Sequence, residues 1–174
     1  MRVRIEQSLL GTLYMLVIAG RNAWWRVRRP LLIGVRVLVV EGDRVLLVRH
    51  RSGRTPWSLP GGGVEKHEPL AAAAQRECFE EAGVRVRIDS AHGIYDHFFL
   101  GMSNYIAVFV AVPLSPLALR RSLEIAEARY FPLDALPPTI ERGSARRISE
   151  YCSGGGQHHG VWYAEPQGAA HGSL

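Results

Sequence analysis

Between Gly62 and Val84 the chain reads GGVEKHEPLAAAAQRECFEEAGV. Ala71 to Ala74 are the strongest helix formers, Pro69 suits a first helical turn and Gly83 suits the position just past a helix end, so a helix is predicted over about residues 69–82. At about 100° per residue, Glu77, Glu80 and Glu81 fall on one arc, while Ala71, Cys78 and Ala82 form a second stripe beside Phe79. One side of the rod is acidic and another is small and apolar. A buried side that small lets the backbone lie close against a sheet, which holds the three carboxylates rigidly.

The rest of the chain supplies strands for such a sheet. LIGVRVLVV (32–40) is rich in β-branched residues, EGD reads as a turn and RVLLVR (44–49) returns, giving a hairpin. HRSGRTPWSLPGGG (50–63) reads as loop by its Gly, Pro and Ser content. VRVRID (84–89) alternates apolar and charged residues, GIYDHFF (93–99) and YIAVFVAV (105–112) read as two further strands, and the second is apolar enough to be central. A short strand near ARYF (128–131) and a helix near SARRISEY (144–151) close the domain. At 174 residues the chain is expected to form one domain over residues 31–152, with an N-terminal segment 1–30 and a disordered tail 153–174.

The formal net charge of +5 suggests nucleic acid until it is located. Arg2, Arg4, Arg21, Arg26, Arg28 and Arg29, opposed only by Glu6, account for all of it within the first 30 residues. The domain itself is neutral, so no nucleic-acid partner is expected. Two cysteines, Cys78 and Cys152, make no disulfide framework, and a cytoplasmic location is expected. The apolar run LLGTLYMLVIA (9–19) would span about 16 Å as a helix, against a hydrocarbon core of about 30 Å, too short to cross. Flanked by arginines and by Trp24 and Trp25, residues 1–30 could instead lie on a membrane surface, or pack on the domain or on a second copy in a homodimer.

Three carboxylates within one turn repel each other. A hard divalent cation would offset that, because Mg²⁺ takes oxygen ligands and shares its coordination with substrate phosphates. A solvated acidic face paired with Arg76 would do so too, and the helix alone does not choose between them. The spacing around it does. Gly62, Glu68, Arg76, Glu77, Glu80, Glu81 and Gly83 match every fixed position of G-x5-E-x7-R-E-U-x-E-E-x-G-U, where U is apolar. Val84 fits the last U and Cys78, a less usual residue, the first. With the lead-in WSLPGGGVE (57–65) and the ending EIAEARYFPLDALP (124–137), residues 32 to about 151 resemble the Nudix hydrolases.

That resemblance implies an α/β fold, the Nudix α/β/α sandwich with a mixed β-sheet, and hydrolysis of a nucleoside diphosphate linked to another moiety with Mg²⁺ or Mn²⁺. It implies Glu77, Glu80, Glu81 and the Gly61 carbonyl as metal ligands, Arg76 as the arginine that holds the glutamates, and Glu68 as its structural partner. The base that activates water stays open among Glu81, Glu80, Glu124, Glu127 and His97. Arg49, Arg51, Arg54 and Trp57, in the loop before the motif, are candidates for binding phosphate and stacking a base. Tyr95, Phe98 and Phe99 are weaker candidates, and His92, His158 and His159 read as surface residues. Two other readings also fit: a Nudix domain turned ligand-binding regulator, and a membrane-surface hydrolase of lipid-linked diphosphates.

Overall fold

The computed structural model describes residues 31–51, 57–99, 102–118, 124–154 and 158–163. In chain order these form β1 (Leu31–Glu41), β2 (Arg44–His50), α1 (Leu70–Ala82), β3 (Val86–Phe99), β4 (Met102–Pro113), β5 (Ile125–Pro132), α2 (Arg142–Cys152) and β6 (His158–Val161). The strands make one mixed sheet in the order β5-β2-β1-β4-β3-β6. The expected α/β sandwich is what the chain adopts. Arg54 and the N-terminal segment 1–30 lie outside the described residues.

The two faces of the sheet follow from strand alternation. Val35, Val37 and Val39 of β1 join Ala107 and Ala111 of β4 against Ala73, Ala74, Cys78 and Ala82 of α1. Leu38 and Val40 face the other way, toward Ile106, Val108, Tyr95 and Ile148. Of the predicted stripe Cys78 and Ala82 are fully buried, but Ala71 is exposed and Ala73 and Ala74 take its place against the sheet. Pro69 stands at the N-cap rather than inside the helix, and Gly83 closes it in the left-handed region at φ 67°, with its N–H on the Phe79 carbonyl at 2.9 Å. A side chain there would also meet the Ala118 carbonyl oxygen at 2.0 Å.

One irregularity of the sheet builds the site. β1 and β2 are joined by a tight turn at Gly42, but they pair only at Val40↔Val45 and Glu41↔Arg44 before diverging. Residues 58–64 fill the fork. Ser58 exchanges both backbone bonds with Val48 (2.9 and 3.0 Å) on the β2 side. On the β1 side Val37 N–H donates to Pro60 O, Val35 N–H to Gly62 O and Val64 N–H to Ile33 O, at 2.9, 2.9 and 3.0 Å. A Gly- and Pro-rich stretch that reads as loop is thereby held like a strand, because the fork leaves ladder donors and acceptors that must find partners.

Three expectations are corrected. Segments 84–89 and 93–99 are not separate strands: β3 runs through both, and register shifts at Ile88/Ser90 and Ala91/Gly93 absorb the His92 region that looked like a break. The tail is not disordered throughout, since β6 pairs in parallel with β3 from Gly93↔His158 to Asp96↔Val161. Apolar anchors are few there, but Trp162 is 1 % exposed and stacks edge-on to Tyr95 at 6.0 Å. Gly143 makes this burial feasible, for a Cβ there would lie 2.2 Å from the Trp162 indole nitrogen. Third, His92 is buried and stacks on half-buried His158 at 4.7 Å, so neither is a surface residue. Glu150 of α2 stands 3.7 Å from His92 Nε2 and accepts from Arg147 and Tyr95, so this cluster ties α2 to β3 and β6.

Candidate active site

Arg76 organises the acidic arc. Its Nε and Nη2 donate bidentately to Glu68 (2.8 and 2.9 Å), Nη1 donates to Glu77 (2.8 Å) and Glu80 (3.0 Å), and Nη2 also reaches the Gly63 carbonyl at 3.0 Å. Glu68 is further fixed by the Glu65 N–H at 3.0 Å, and its hydrogen bonds to Arg76 hold its carboxyl at about 2, so it stays ionised. The guanidinium therefore joins the helix to the lead-in loop and spreads its charge over three carboxylates.

Glu81 lies beyond that arginine's reach. It is 7 % exposed and accepts the Gly61 N–H at 2.8 Å. Burial pushes its carboxyl up to about 7, against the opposing pull of the Gly61 N–H and Arg36, with Glu77 and Glu124 adding to the rise. Burial also raises Glu77, which its hydrogen bond to Arg76 counters only in part. The loop meets these carboxylates through glycine because nothing larger fits: a Cβ on Gly62 would sit 2.6 Å from Glu77 Oε1, and one on Gly61, at φ 143°, would sit 2.1 Å from the Val35 carbonyl oxygen.

Two residues absent from the sequence reading complete the surroundings. Arg36 of β1 donates to the carbonyls of Gly61 and Leu59, the latter at 3.4 Å, and its charge is felt by Glu77, Glu81, His50, His97 and Glu141. His50, at the end of β2, puts Nε2 3.5 Å from Glu81 Oε1. Burial, and then Arg36, push its pKa down, so near neutrality it is an uncharged imidazole beside a carboxyl that holds its proton unusually tightly. Arg36 had a signal in the sequence: it is the one charge inside LIGVRVLVV, where a strand with apolar residues on both faces requires a buried partner for it.

The other candidates divide. Glu124 is close enough to raise Glu81 and lies next to the loop, its carbonyl accepting the Arg51 N–H at 2.7 Å. Glu127 is held by Arg49 (2.9 Å) and Arg129 (2.8 Å), which depress its pKa and make it a poor base. Arg49 is thereby committed to Glu127 and to the Trp57 ring at 5.7 Å. Trp57 itself is corrected: it is 8 % exposed and packed edge-on to Phe131 at 4.8 Å, because the 58–64 stretch is stitched to β2 and carries its neighbour into the core. It cannot stack a substrate ring. Tyr95 is likewise core, donating to Glu150 at 2.9 Å, while Phe98 is exposed. His97 stands on the α2 face beside Asn104 and Tyr163.

The donor chemistry fits a hard divalent cation: the Glu77 and Glu81 carboxyls raised by burial, and a Gly61 carbonyl that draws a guanidinium. The side chains are not gathered around a single point, and among the described residues no group of three or more His, Cys, Asp or Glu is arranged as a metal cage. Glu77 and Glu80 turn to Arg76, and Glu81 to Gly61 and His50.

The NUDIX domain family model matches residues 30–152. A MutT4 protein of Mycobacterium tuberculosis is 32 % identical over 108 residues, covering 58 % of this chain and 42 % of that protein. A MutT-like protein of Streptomyces ambofaciens is 29 % identical over 126 residues, covering 72 % and 80 %. The crystal structure of a NUDIX hydrolase from Nitrosomonas europaea superposes with a TM-score of 0.65 at 27 % identity, over 75 % of this chain and 77 % of that one. This chain thus spans less than half the length of the mycobacterial relative.

Proposed function

The chain belongs to the Nudix hydrolase family, and from that premise we propose that it is a divalent-metal-dependent hydrolase of a nucleoside diphosphate linked to another moiety. The observation that carries this reading is Glu81: buried, raised to about 7, and hydrogen-bonded to the backbone of the loop that also offers the Gly61 carbonyl. A structural salt-bridge network would have paired it, as Glu68 is paired. The retained carboxylates weigh against a regulator that has lost catalysis.

Glu77, Glu80, Glu81 and the Gly61 carbonyl would hold Mg²⁺ or Mn²⁺, with Arg76 handing over two of the carboxylates. Such an ion would offset the negative charge of the diphosphate and make a bound water more acidic. Glu81 and His50, 3.5 Å apart, are the groups placed to take the proton of the attacking water. Arg36 is placed to meet the developing charge on phosphate, releasing Gly61 as it does so.

The test is a panel of nucleotide sugars, dinucleotides, ADP-ribose and nucleoside triphosphates assayed with Mg²⁺, alongside Glu80→Gln and Glu81→Gln. Turnover of at least one compound, lowered about a hundredfold or more by Glu81→Gln with the fold intact, is expected. Wild-type rates in both variants would refute the roles given.

A second reading concerns place. Leu31, Ile33, Phe98 and Tyr105 are exposed on the α1 face at the end of the sheet where β1 begins, with Phe98 and Tyr105 in edge contact at 6.0 Å. The arginine- and tryptophan-bearing segment precedes Leu31 in the sequence, and with this apolar edge it favours a peripheral seat on anionic membrane. No helix among the described residues is long and apolar enough to cross one.

A further inference from the structure

Two backbone N–H groups in the stretch that carries the Gly61 carbonyl are received by side chains rather than by the strands of the fork. Gly61 N–H donates to Glu81 of α1 at 2.8 Å, and Leu59 N–H donates to the Ser144 hydroxyl of α2 at 3.0 Å. The stretch is thereby pinned to a helix on each face of the sheet, at points two residues apart. Leu59 and Ser144 are both fully buried, so neither polar group has water to fall back on.

Ser144 can accept because its own proton is already committed. Its hydroxyl donates to Glu141 Oε2 at 2.7 Å, and a serine has one proton to give. Glu141 stands at the N-cap of α2 but makes no side-chain bond to the helix backbone. Its Oε1 accepts instead from Trp162 Nε1 at 3.2 Å and from the Tyr163 hydroxyl. Burial raises the Glu141 carboxyl, but the bonds from Tyr163 and Ser144 and the charge of Arg36 outweigh it and hold the group below the usual carboxylate range. An ionised acceptor fixes the direction of the whole chain: Tyr163, Trp162 and Ser144 donate to Glu141, and Leu59 donates to Ser144. Trp162 reaches Glu141 across Gly143, where a Cβ would collide with the indole. Both aromatic residues follow β6, in the stretch beyond the family-matched residues 30–152.

We propose that Glu141 and Ser144 are positioning residues for the hydrolytic site, and that this chain of hydrogen bonds makes the seating of β6 set the Gly61 carbonyl. With Leu59 N–H held by Ser144 and the Leu59 and Gly61 carbonyls both facing Arg36, the peptide planes between them have little freedom to turn. Without the hydroxyl, Leu59 N–H becomes an unpaired buried donor, and the segment must rotate to find another acceptor, carrying Gly61 with it. The disturbance stays local, because the backbone on either side is held independently. Trp57 N–H donates to Thr139 O at 3.0 Å, Glu141 N–H donates to Trp57 O at 2.7 Å, and Ser58 keeps its two bonds to Val48. Glu141 and Ser144 thus act through the backbone rather than on the reacting atoms.

The inference rests on the reading of Glu77, Glu80 and Glu81 as a metal-dependent site, so its test reads metal binding and metal-free backbone protection apart from turnover. Mn²⁺ affinity, the thermal midpoint and metal-free amide hydrogen exchange at Leu59 and Gly61 are measured on the full-length protein, Ser144→Ala, Tyr163→Phe and the double variant. Ser144→Ala should lower Mn²⁺ affinity about tenfold and speed exchange at Gly61. Tyr163→Phe removes one donor from Glu141 at a ring that is 39 % exposed, and should cost about threefold in the same direction. The double variant should match Ser144→Ala, because both substitutions cut one chain. Losses that add in the double variant would overturn the proposal, as would a Ser144→Ala protein that loses thermal stability while Mn²⁺ affinity and Gly61 exchange stay unchanged. Should Ser144→Ala fail to fold, Tyr163→Phe decides alone, and unchanged affinity and exchange in it overturn the chain. Absence of Mn²⁺ binding by the unmodified protein would refute the functional reading instead, and exchange at Gly61 would still decide whether Ser144 sets the stretch.

Discussion

At the scale of single residues, Glu81 sets opposing demands on stability and activity. Its carboxyl rises from an ordinary value of 4.5 to about 7 on folding, so the folded chain binds the proton more tightly than the unfolded one. Metal-free stability therefore falls as pH rises through the window from about 4.5 to 7, and the cost, at most roughly 3 kcal/mol, is complete above it. Glu81→Gln removes the ionisation and should raise the metal-free thermal midpoint at pH 8 by a few degrees, with the gap narrowing below about 1 kcal/mol by pH 5. Calorimetric scans of both proteins across that range check this; a gap of constant size would show that burial of the charge is not its cause. His50 acts with the opposite sign, since its lowered pKa costs stability as pH falls below 6.5, and both proteins share it. The same proton must leave when a metal binds. Mn²⁺ titrated near pH 6 in buffers of different ionisation enthalpy should release up to about one proton, and close to none at pH 8.5. Gly62 offers a purely steric counterpart: the methyl of Gly62→Ala would fall 2.6 Å from Glu77 Oε1, so turnover should drop at least tenfold while Glu68 and Arg76 keep the helix in place.

At the scale of elements, the helix and the loop act as one unit through Arg76, which donates two bonds to Glu68 and one to the Gly63 carbonyl. Glu68→Gln keeps the shape and loses the charge, and should loosen the loop against the helix. Mn²⁺ affinity and turnover are expected to fall together, about tenfold, with the thermal midpoint little changed, because the pair lies at the periphery of the core. Unchanged metal affinity would mean that the loop is set by the β1–β2 fork alone. The two mechanisms differ in how far the sequence exposes them. The clamp is legible because its residues sit at fixed spacing along one helix and its lead-in. The fork is not, since nothing in VRHRSG announces that β2 will leave β1 after two pairs, and periodicity describes a strand without naming its neighbour. The same limit hid Trp57, whose surroundings are set by that fork, and His50, which meets Glu81 only because the fork opens toward α1. β6 was illegible for a different reason: its anchor is one tryptophan received by one glycine on another element, too sparse for any pattern of alternation.

At the scale of the whole molecule, charge and apolar surface are distributed unevenly, and both collect at one place. The net +5 is accounted for by the first 30 residues, and the chain beyond them begins at Leu31, which is 63 % exposed beside Ile33 and Phe98. A neutral catalytic domain with a basic, tryptophan-bearing leader and an apolar landing edge has the distribution that anionic bilayers attract, each Lys or Arg near the surface contributing about 1 kcal/mol within a Debye length. Flotation with vesicles of phosphatidylcholine and phosphatidylserine should recover the full-length protein and leave a chain starting at Pro30 in the bottom fraction. Recovery should fall steeply from 50 to 500 mM salt if arginines dominate and only slightly if the apolar edge does. Equal recovery of the two chains would remove the membrane from the account without touching the carboxylates, because the edge lies on the entry end of β1 while Glu81 and Gly61 meet inside the fork. Soluble diphosphates should then be turned over at the same kcat/KM by both chains, with or without vesicles. A drop confined to the shorter chain in the absence of lipid would instead place the N-terminal segment against the catalytic domain itself.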